Sequence, residues 1–185
     1  ASAEAVLANR GRHVTPHLAK RIGDETVLLP RSEEKPDVVL DNPAWWDDVI
    51  AALEDVVSGR EGTARKYVGP GLKYRMAGKS GTAQVFTLGQ DQKYNGKELA
   101  ERLRDHALFA AFAPVEHPEI AVSVVIENGQ GGSSVAGPMA RAVTDYWLLP
   151  RIDPEAREAA LTLAAALAPP EAPVGEGEQG ENDAD

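Results

Sequence analysis

Two apolar runs joined by a short loop constrain the fold of this chain more than any other feature. Residues 107–113 (ALFAAFA) and 120–127 (IAVSVVIE) are rich in strand-forming residues, and only residues 114–119 separate them. A loop of this length, with Pro114 and Pro118 in it, predicts an antiparallel hairpin. The second run shows almost no polar alternation, which is typical of a strand buried on both faces.

A third strand and two helices are predicted around this hairpin. The strand covers 79–88. The first helix covers 43–57 with Asn42 as its cap, and the second runs to about residue 148 from either Ser134 or Pro138. Apolar residues three and four apart define the faces expected to be buried: Trp46, Val49, Ile50, Leu53, Val56 and Val57 in the first helix, and Val135, Met139, Ala142, Val143, Tyr146 and Trp147 in the second.

These elements predict the α+β class, with an antiparallel sheet that has helices on both faces. On the first helix, Trp45 is expected at the rim of the core. The solvent-exposed face of this helix is expected to carry its acids, Asp47, Asp48, Glu54 and Asp55. Shorter elements are predicted elsewhere: a helix ending at Gly11, a hairpin of 12–22 with 26–29 around Gly23-Asp24-Glu25, and a charged helix over 96–104.

Composition excludes several classes of protein. The chain has no cysteine, so disulfides, thiolate metal sites and a cysteine nucleophile are excluded. The net charge of −10 argues against binding a phosphate backbone, although the first 169 residues carry a net charge of only −4. No apolar run is long enough for a transmembrane helix. The 185 residues open with Ala1, within an apparent helix, and we expect a piece of a larger protein.

The strand over 79–88 carries the residues best suited to binding or catalysis: Lys79, Ser80, Gly81 and Thr82. A phosphate-binding loop would need a glycine at position 73, which is Lys73, and a helix directly after the hydroxyl residue, where the sequence favours a strand. Lys-Ser-Gly on a strand edge instead fits the third motif of the penicillin-recognising serine enzymes.

The residue types of this motif suit an acyl substrate that ends in a carboxylate. Lys79 offers a cation, and Ser80 and Thr82 offer hydroxyl donors. Gly81 permits a peptide to approach the strand backbone closely. The backbone N–H of Thr82 is a candidate donor to the oxyanion of a tetrahedral intermediate. A polar strand edge without a ligand remains the simple alternative.

Other candidate sites have ordinary explanations. His13 and His17 are four apart, but Pro16 separates them, which favours solvated residues over a metal site. Asp105-His106 is either a general-base pair or the end of a charged helix. Residues 129–134 (GQGGSS) are either an anion cradle or a strand-to-helix loop.

Several segments together resemble penicillin-binding protein 2, the class B, elongation-type D,D-transpeptidases. The matching segments are YRMAGKSGTAQVF (74–86), KYNGKELAERLRDH (93–106), FAP (112–114), ENG (127–129), AVLANRGRHVTPHL (5–18) and EGTAR (61–65). The resemblance implies that residues 1–150 are the C-terminal part of a transpeptidase domain. Beyond it we predict a further helix over 151–168 and a disordered acidic tail over 169–185.

The resemblance implies a periplasmic enzyme anchored in the inner membrane that needs no metal or cofactor. It would cross-link peptidoglycan stem peptides ending in D-Ala-D-Ala, be acylated by β-lactams, and work with a glycosyltransferase through parts outside this chain. Nucleic acid is not an expected partner. Tyr94 and Asn95 are candidates to line the substrate cleft.

The family's nucleophile lies in a Ser-x-x-Lys motif, and here only Ser32-Glu33-Glu34-Lys35 has that spacing. It lies in an acidic, proline-bounded loop and is not expected to be catalytic. No serine has Asn two positions later, so the second motif is also absent. We therefore expect this chain alone to be inactive. The alternatives are a non-catalytic interaction module with a transpeptidase-like sheet, and a serine β-lactamase or D,D-carboxypeptidase relative.

Overall fold

The computed structural model describes residues 1–16, 18, 36–85 and 99–153, together with the backbone of 21–22 and 25–26. It contains three α-helices in these regions, α1 (Ser2–Ala8), α2 (Ala44–Ser58) and α3 (Gly137–Ile152). The strands are β1 (Arg21–Ile22), β2 (Glu25–Thr26), β3 (Ala77–Ala83), β4 (His106–Ala113) and β5 (Ile120–Ile126). No helix in the described regions is both long enough and apolar enough to cross a membrane.

Three of the strands form one antiparallel sheet in the order β3-β4-β5. The predicted hairpin of β4 with β5 is confirmed, with Ala107 opposite Ile126 and Ala113 opposite Ile120. On its other edge β4 pairs with β3, from Ala77 opposite Phe112 to Ala83 opposite His106. The short strands β1 and β2 pair separately as an antiparallel hairpin, as predicted, although Glu25, expected in the turn, belongs to β2.

Helices cover both faces of the sheet, which confirms the predicted class and layering. One face carries Phe109, Ala111 and Val122, packed with Ala136, Ala140 and Leu148 of the α3 region. The other face carries Ala77, Phe112 and Ala121, packed with Ala8 of α1 and Ile50 of α2. Residues of α2 enter both clusters, with Val57 on the first side and Ile50 on the second.

The start of α2 and the end of α1 follow the sequence signals to within a residue or two. α2 begins at Ala44, one residue later than predicted, and Pro43 occupies the capping position; Asn42 Oδ1 still accepts a hydrogen bond from the backbone N–H of Ala44 at 3.1 Å. α1 ends at Ala8, after which Arg10 and Gly11 have positive φ and the Gly11 N–H returns to the carbonyl of Val6. A Cβ atom at Gly11 would collide with the carbonyl oxygen of Val38, so this glycine also permits a close approach.

The predicted buried face of α3 is wrong. Its buried residues are Gly137, Ala140, Thr144 and Leu148, whereas four of the expected residues are exposed: Met139, Val143, Tyr146 and Trp147. Small side chains let the helix approach the sheet closely, and they outweigh the pattern of large apolar residues. α3 begins after a one-turn π-helix, Gly132–Ala136, so Pro138 marks the start better than Ser134.

Three further predictions about burial need correction. β5 is not buried on both faces: Val125 is 56% exposed, because the cluster on the α1 side includes only Ala121 of this strand. On α2, Val49 is exposed, and the Glu54 side chain is only 17% exposed because it is paired with Arg75.

The motif strand and the charged helix also differ in extent from the predictions. β3 begins earlier than expected, at Ala77, and ends at Ala83, where its partner strand begins. Of the helix predicted over 96–104, the described part is only a 3₁₀ turn, Glu101–Leu103. Predictions for 86–98 and 154–185, including the further helix and the acidic tail, lie outside the described residues.

Candidate functional site

The predicted motif lies on β3, whose described hydrogen-bonding partner is β4 alone. Lys79 pairs with Ala110, Ser80 with Phe109, Gly81 with Leu108 and Thr82 with Ala107. Successive strand residues point to opposite faces, so Ser80 and Thr82 project toward the α3 side and Lys79 toward the α1 side. Lys79 and Thr82 are exposed, while Ser80 and Gly81 are half-buried. The segment is therefore accessible, with its cation on one face of the sheet and its two hydroxyls on the other.

The polar groups of the motif make short local contacts. Lys79 Nζ donates a hydrogen bond to the carbonyl oxygen of Ser80 at 2.7 Å. The hydroxyl of Ser80 lies 3.5 Å from the hydroxyl of Thr63, which belongs to the connection between α2 and β3. Thr63 therefore adds a third hydroxyl next to those of Ser80 and Thr82. The sequence had indicated its segment only through the EGTAR resemblance.

Glycine at position 81 leaves little room for a side chain. A Cβ atom there would lie 3.3 Å from Leu108 Cβ, which is tight but tolerable if Leu108 shifts slightly. The opposite face of the Gly81 peptide is covered by Gly132, the first residue of the π-helical turn. Gly81 thus lies where two backbone segments pack directly on each other.

An ion-pair bridge fixes the entry of the chain into β3. Arg75 Nε lies 2.5 Å from Glu54 on α2, and Arg75 Nη1 lies 2.8 Å from Glu116 in the β4–β5 loop. These hydrogen bonds to Glu54 and Glu116 raise the pKa of the guanidinium. The backbone carbonyl of Arg75 also accepts the N–H of Val115 at 3.1 Å. The start of the motif strand is therefore tied both to a helix and to the neighbouring hairpin.

A second polar cluster ties the same connection to α3. The Tyr74 hydroxyl donates a 2.6 Å hydrogen bond to Asp145, and Arg141 lies 3.2 Å from the other carboxylate oxygen. Arg141 also donates to the carbonyl oxygens of Val68, at 2.8 Å, and Pro70. Burial raises the pKa of Tyr74, and the hydrogen bond to Asp145 raises it further. No sequence pattern predicted this cluster, since Tyr74 and Asp145 are 71 residues apart.

Asp105-His106 is not arranged as an exposed general base. The Nδ1 atom of His106 accepts a 2.9 Å hydrogen bond from the backbone N–H of Asn128, so this nitrogen is already occupied. Asp105 is buried, and its carbonyl accepts the N–H of Gln130 at 2.8 Å. The pair therefore fixes the start of β4 and the loop after β5, and it does not end a charged helix, because Asp105 is buried and His106 begins the strand.

The stretch 129–134 forms a packed connection between β5 and α3. The N–H of Gly131 is bonded to Gly129 and that of Val135 to Gly131, within the connection itself. Gly132 is buried against the sheet. This geometry favours the strand-to-helix loop over the anion cradle.

Several candidates cannot be placed. Ser32 to Lys35, His17, Tyr94 and Asn95 lie outside the described residues. The backbone N–H of His13 donates to Asp37, and the described part of the chain contains no group of three or more metal-binding side chains.

Trp46 is only 9% exposed and belongs to the core, whereas Trp45 lies at its rim.

Comparison with known proteins identifies the family. The model of the penicillin-binding protein transpeptidase domain matches residues 1–145. The chain belongs to the penicillin-binding protein transpeptidase family. The peptidoglycan D,D-transpeptidase MrdA of Haemophilus influenzae is 44% identical over 154 residues, which are 82% of this chain and 23% of that protein. MrdA of Escherichia coli is 37% identical over 145 residues, which are 78% of this chain and 23% of that protein.

Solved structures agree with this family. The Pseudomonas aeruginosa PBP2 structure in complex with WCK 5153 aligns with a TM-score of 0.65 and 46% identity, over 79% of this chain and 29% of that one. The Helicobacter pylori complex of PBP2 with MreC aligns with a TM-score of 0.56 and 26% identity, over 80% of this chain and 24% of that one. This transpeptidase-family chain thus spans about a quarter of the length of its curated relatives.

Proposed function

We propose that this chain is the C-terminal part of a larger peptidoglycan D,D-transpeptidase and that β3 forms one wall of its substrate cleft. One observation carries the proposal. Residues 79–82 form an accessible strand segment in a chain that is 44% identical to a D,D-transpeptidase over 82% of its length. The accessible motif provides side chains suited to binding a carboxylate, and the similarity to the relative indicates the class of reaction.

In this proposal the motif binds the end of the donor stem peptide. The hydroxyls of Ser80 and Thr82 hold the terminal carboxylate of D-Ala-D-Ala from one face of the strand, and Lys79 supplies positive charge from the other face at the strand backbone. Gly81 allows the peptide to lie close to the strand. Charged hydrogen bonds of this type are roughly twice as strong as neutral ones. Lys79 Nζ already contacts the Ser80 carbonyl at 2.7 Å, so the cation lies close to the strand backbone.

The backbone N–H of Thr82 is proposed as one donor to the oxyanion. In an antiparallel strand the backbone groups of alternate residues point toward the same edge, so Ser80 and Thr82 share a direction. The Ser80 carbonyl accepts a side-chain hydrogen bond, which supports its pointing to the edge away from β4. An oxyanion donor at that edge is worth about 10²–10³ in rate in other acyl-transfer enzymes.

The proposed reaction is acyl transfer through a serine ester. A serine hydroxyl from a part of the protein outside this chain attacks the D-Ala-D-Ala carbonyl, and its proton goes to a base there. The peptide bond breaks and D-Ala leaves with a proton. The amine of a second stem peptide then attacks the ester, forming the cross-link and releasing the serine. No cofactor takes part in this scheme, and the chain by itself is expected to be inactive.

Stem peptides and β-lactams are the proposed ligands, and the periplasmic face of the inner membrane is the proposed location. Membrane attachment and a glycosyltransferase partner remain predictions that involve segments outside this chain. The Helicobacter pylori relative has been captured with MreC. A protein like MreC is therefore a further proposed partner of the parent protein.

The test is acylation of the full-length parent protein by a fluorescent penicillin. Lys79→Ala should lower the acylation rate about 10- to 150-fold, which corresponds to about 1.5–3 kcal/mol for a hydrogen bond to a charged group. Lys73→Ala is the matched control, because Lys73 is exposed on the preceding connection. A Lys79→Ala protein acylated at the parent's rate would refute the assigned role. Steady hydrolysis of penicillin by the parent would favour a β-lactamase instead.

A further inference from the structure

Gly132 makes an unusually close backbone contact with the motif strand. This residue is buried at the start of the π-helical turn Gly132–Ala136. A Cβ atom on it would lie 2.6 Å from the carbonyl oxygen of Leu108 and 3.0 Å from the nitrogen of Gly81, and closer still to the carbonyl oxygen of Gly81. Real Cβ atoms essentially never approach other heavy atoms to within 3.0 Å. Only glycine therefore fits here without displacement of backbone.

The contact lies between the two hydroxyl side chains of the motif. A Cβ on Gly81 would point toward Leu108 Cβ on the opposite face of the sheet, and it would not meet Gly132. Gly132 therefore covers the face toward which Ser80 and Thr82 project, since strand side chains alternate. It supports the segment from the α3 side at its central residue.

The turn that carries Gly132 is fastened on its N-terminal side. Asn128 is held by two hydrogen bonds. Its backbone N–H donates to His106 Nδ1 at 2.9 Å, and its side-chain amide donates to the Arg104 carbonyl at 2.8 Å. The N–H of Gln130 donates to the Asp105 carbonyl at 2.8 Å. These bonds hold the loop on the residues that lead into β4.

The turn is also fastened on its C-terminal side, where Ala136 and Ala140 are fully buried against the sheet. By contrast, β3 is paired only with β4 in the described sheet, while β4 is held on both edges. Added bulk at position 132 will therefore displace β3 more readily than it displaces β4 or the turn.

We propose that Gly132 is a positioning residue for the Lys79–Thr82 segment, setting how far the carboxylate-binding strand extends into the cleft. The inference rests on the function proposed above. Relieving the contact with a methyl group requires a shift of several tenths of an ångström at Gly81. Misplacement of catalytic geometry by about 1 Å costs about 10²-fold in rate, so we expect roughly a tenfold effect.

The experiment compares Gly132→Ala with Gly137→Ala in the full-length parent protein. A Cβ at Gly137 would meet Val68 Cγ2 at 2.8 Å and would lie at ordinary contact distances from Phe109 Cδ2, 3.5 Å, and from the carbonyl oxygen of Gly132, 3.6 Å. This control therefore disturbs packing of the same region through a side chain, without a close contact to the β3 backbone. The readout is the ratio of acylation rates by a penicillin with a free carboxylate and by its methyl ester. A purely structural role would lower the melting temperature and leave this ratio unchanged.

We expect Gly132→Ala to lower the acid-to-ester ratio about tenfold and Gly137→Ala to leave it within about twofold of the parent. An unchanged ratio in Gly132→Ala, or an equal loss in both variants, would overturn the proposal. Lys79→Ala separates the two hypotheses. If it leaves the ratio unchanged, the proposed function of the motif fails, whereas a ratio lowered by Lys79→Ala but not by Gly132→Ala refutes only the positioning role.

A second variant decides the matter if Gly132→Ala does not fold. Asn128→Gly keeps the positive φ of this residue accessible and removes its side-chain bond to Arg104 without adding atoms. Loosening the turn should lower the ratio about two- to tenfold, the equivalent of one lost hydrogen bond. A folded Asn128→Gly protein with the parent's ratio would then overturn the proposal.

Discussion

The hydroxyl of Tyr74 is a single-atom test of how the motif strand is tied to α3. Tyr74→Phe keeps the ring and removes the donor that lies 2.6 Å from Asp145. A hydrogen bond to a charged group contributes about 1.5–3 kcal/mol. The Asp145 side chain is 25% exposed and keeps its contact with Arg141, so water will partly replace the lost donor. We therefore expect the lower part of that range, about 1.5–2 kcal/mol.

The assay is urea unfolding of the full-length parent protein, followed by tryptophan fluorescence. The matched control is Tyr146→Phe, because Tyr146 is 53% exposed on α3 itself. Tyr74→Phe should lower the midpoint without changing the slope, since little surface exposure changes. A double-mutant cycle with Asp145→Asn then isolates the pair, and residues in direct contact typically show coupling of about 0.5–3 kcal/mol.

The reasoning fails if the two tyrosine variants are equally stable. It also fails if Tyr74→Phe and Asp145→Asn are additive within about 0.5 kcal/mol, as expected of distant residues. Either result would mean that the Tyr74–Asp145 hydrogen bond does not help to hold the connection before β3. A positive result would show that α3 and the motif strand are coupled through this pair.

Two further predictions follow from titration and from exposed apolar surface. The pKa of Tyr74 is raised by burial and by Asp145, so above pH about 10 the unfolded chain loses a proton that the folded one keeps, and stability falls as pH rises. Because Tyr74 stays protonated in the folded protein, Tyr74→Phe should not reduce the tyrosinate absorbance step near pH 10. A smaller step in the variant would contradict this. The isolated 185-residue chain should self-associate, because Val125 on β5 and Met139, Tyr146 and Trp147 on α3 are exposed; a monomeric, sharply cooperative melt at ordinary concentration would contradict this.

Local signals were sufficient to predict much of the fold. The six-residue connection between two apolar runs predicted the β4–β5 hairpin, and the structure confirms it. Asn42 predicted the start of α2, and Gly11 predicted the turn after α1. These features depend on residues close together in the chain, where backbone geometry and capping act directly. The motif strand was also predictable, because Lys-Ser-Gly-Thr has few chemical interpretations in a strand.

Long-range packing decided what the sequence could not. The pattern of α3 indicated Met139, Val143 and Trp147 as its buried face, but the helix packs through Gly137 and Ala140 instead. The spacing of apolar residues shows that a helix has two different faces. Which face packs on the sheet depends on how closely the helix and strand backbones can approach.

The sequence by itself determined the antiparallel hairpin, the motif and its likeness to a transpeptidase, because each is written in neighbouring residues. Only the tertiary structure placed Gly132 on Gly81, Thr63 beside Ser80 and Tyr74 on Asp145. These pairs are far apart in the chain, and they meet because the sheet brings α2, β3 and α3 to one place. Local preferences cannot encode such a meeting, since it exists only once the whole core has packed.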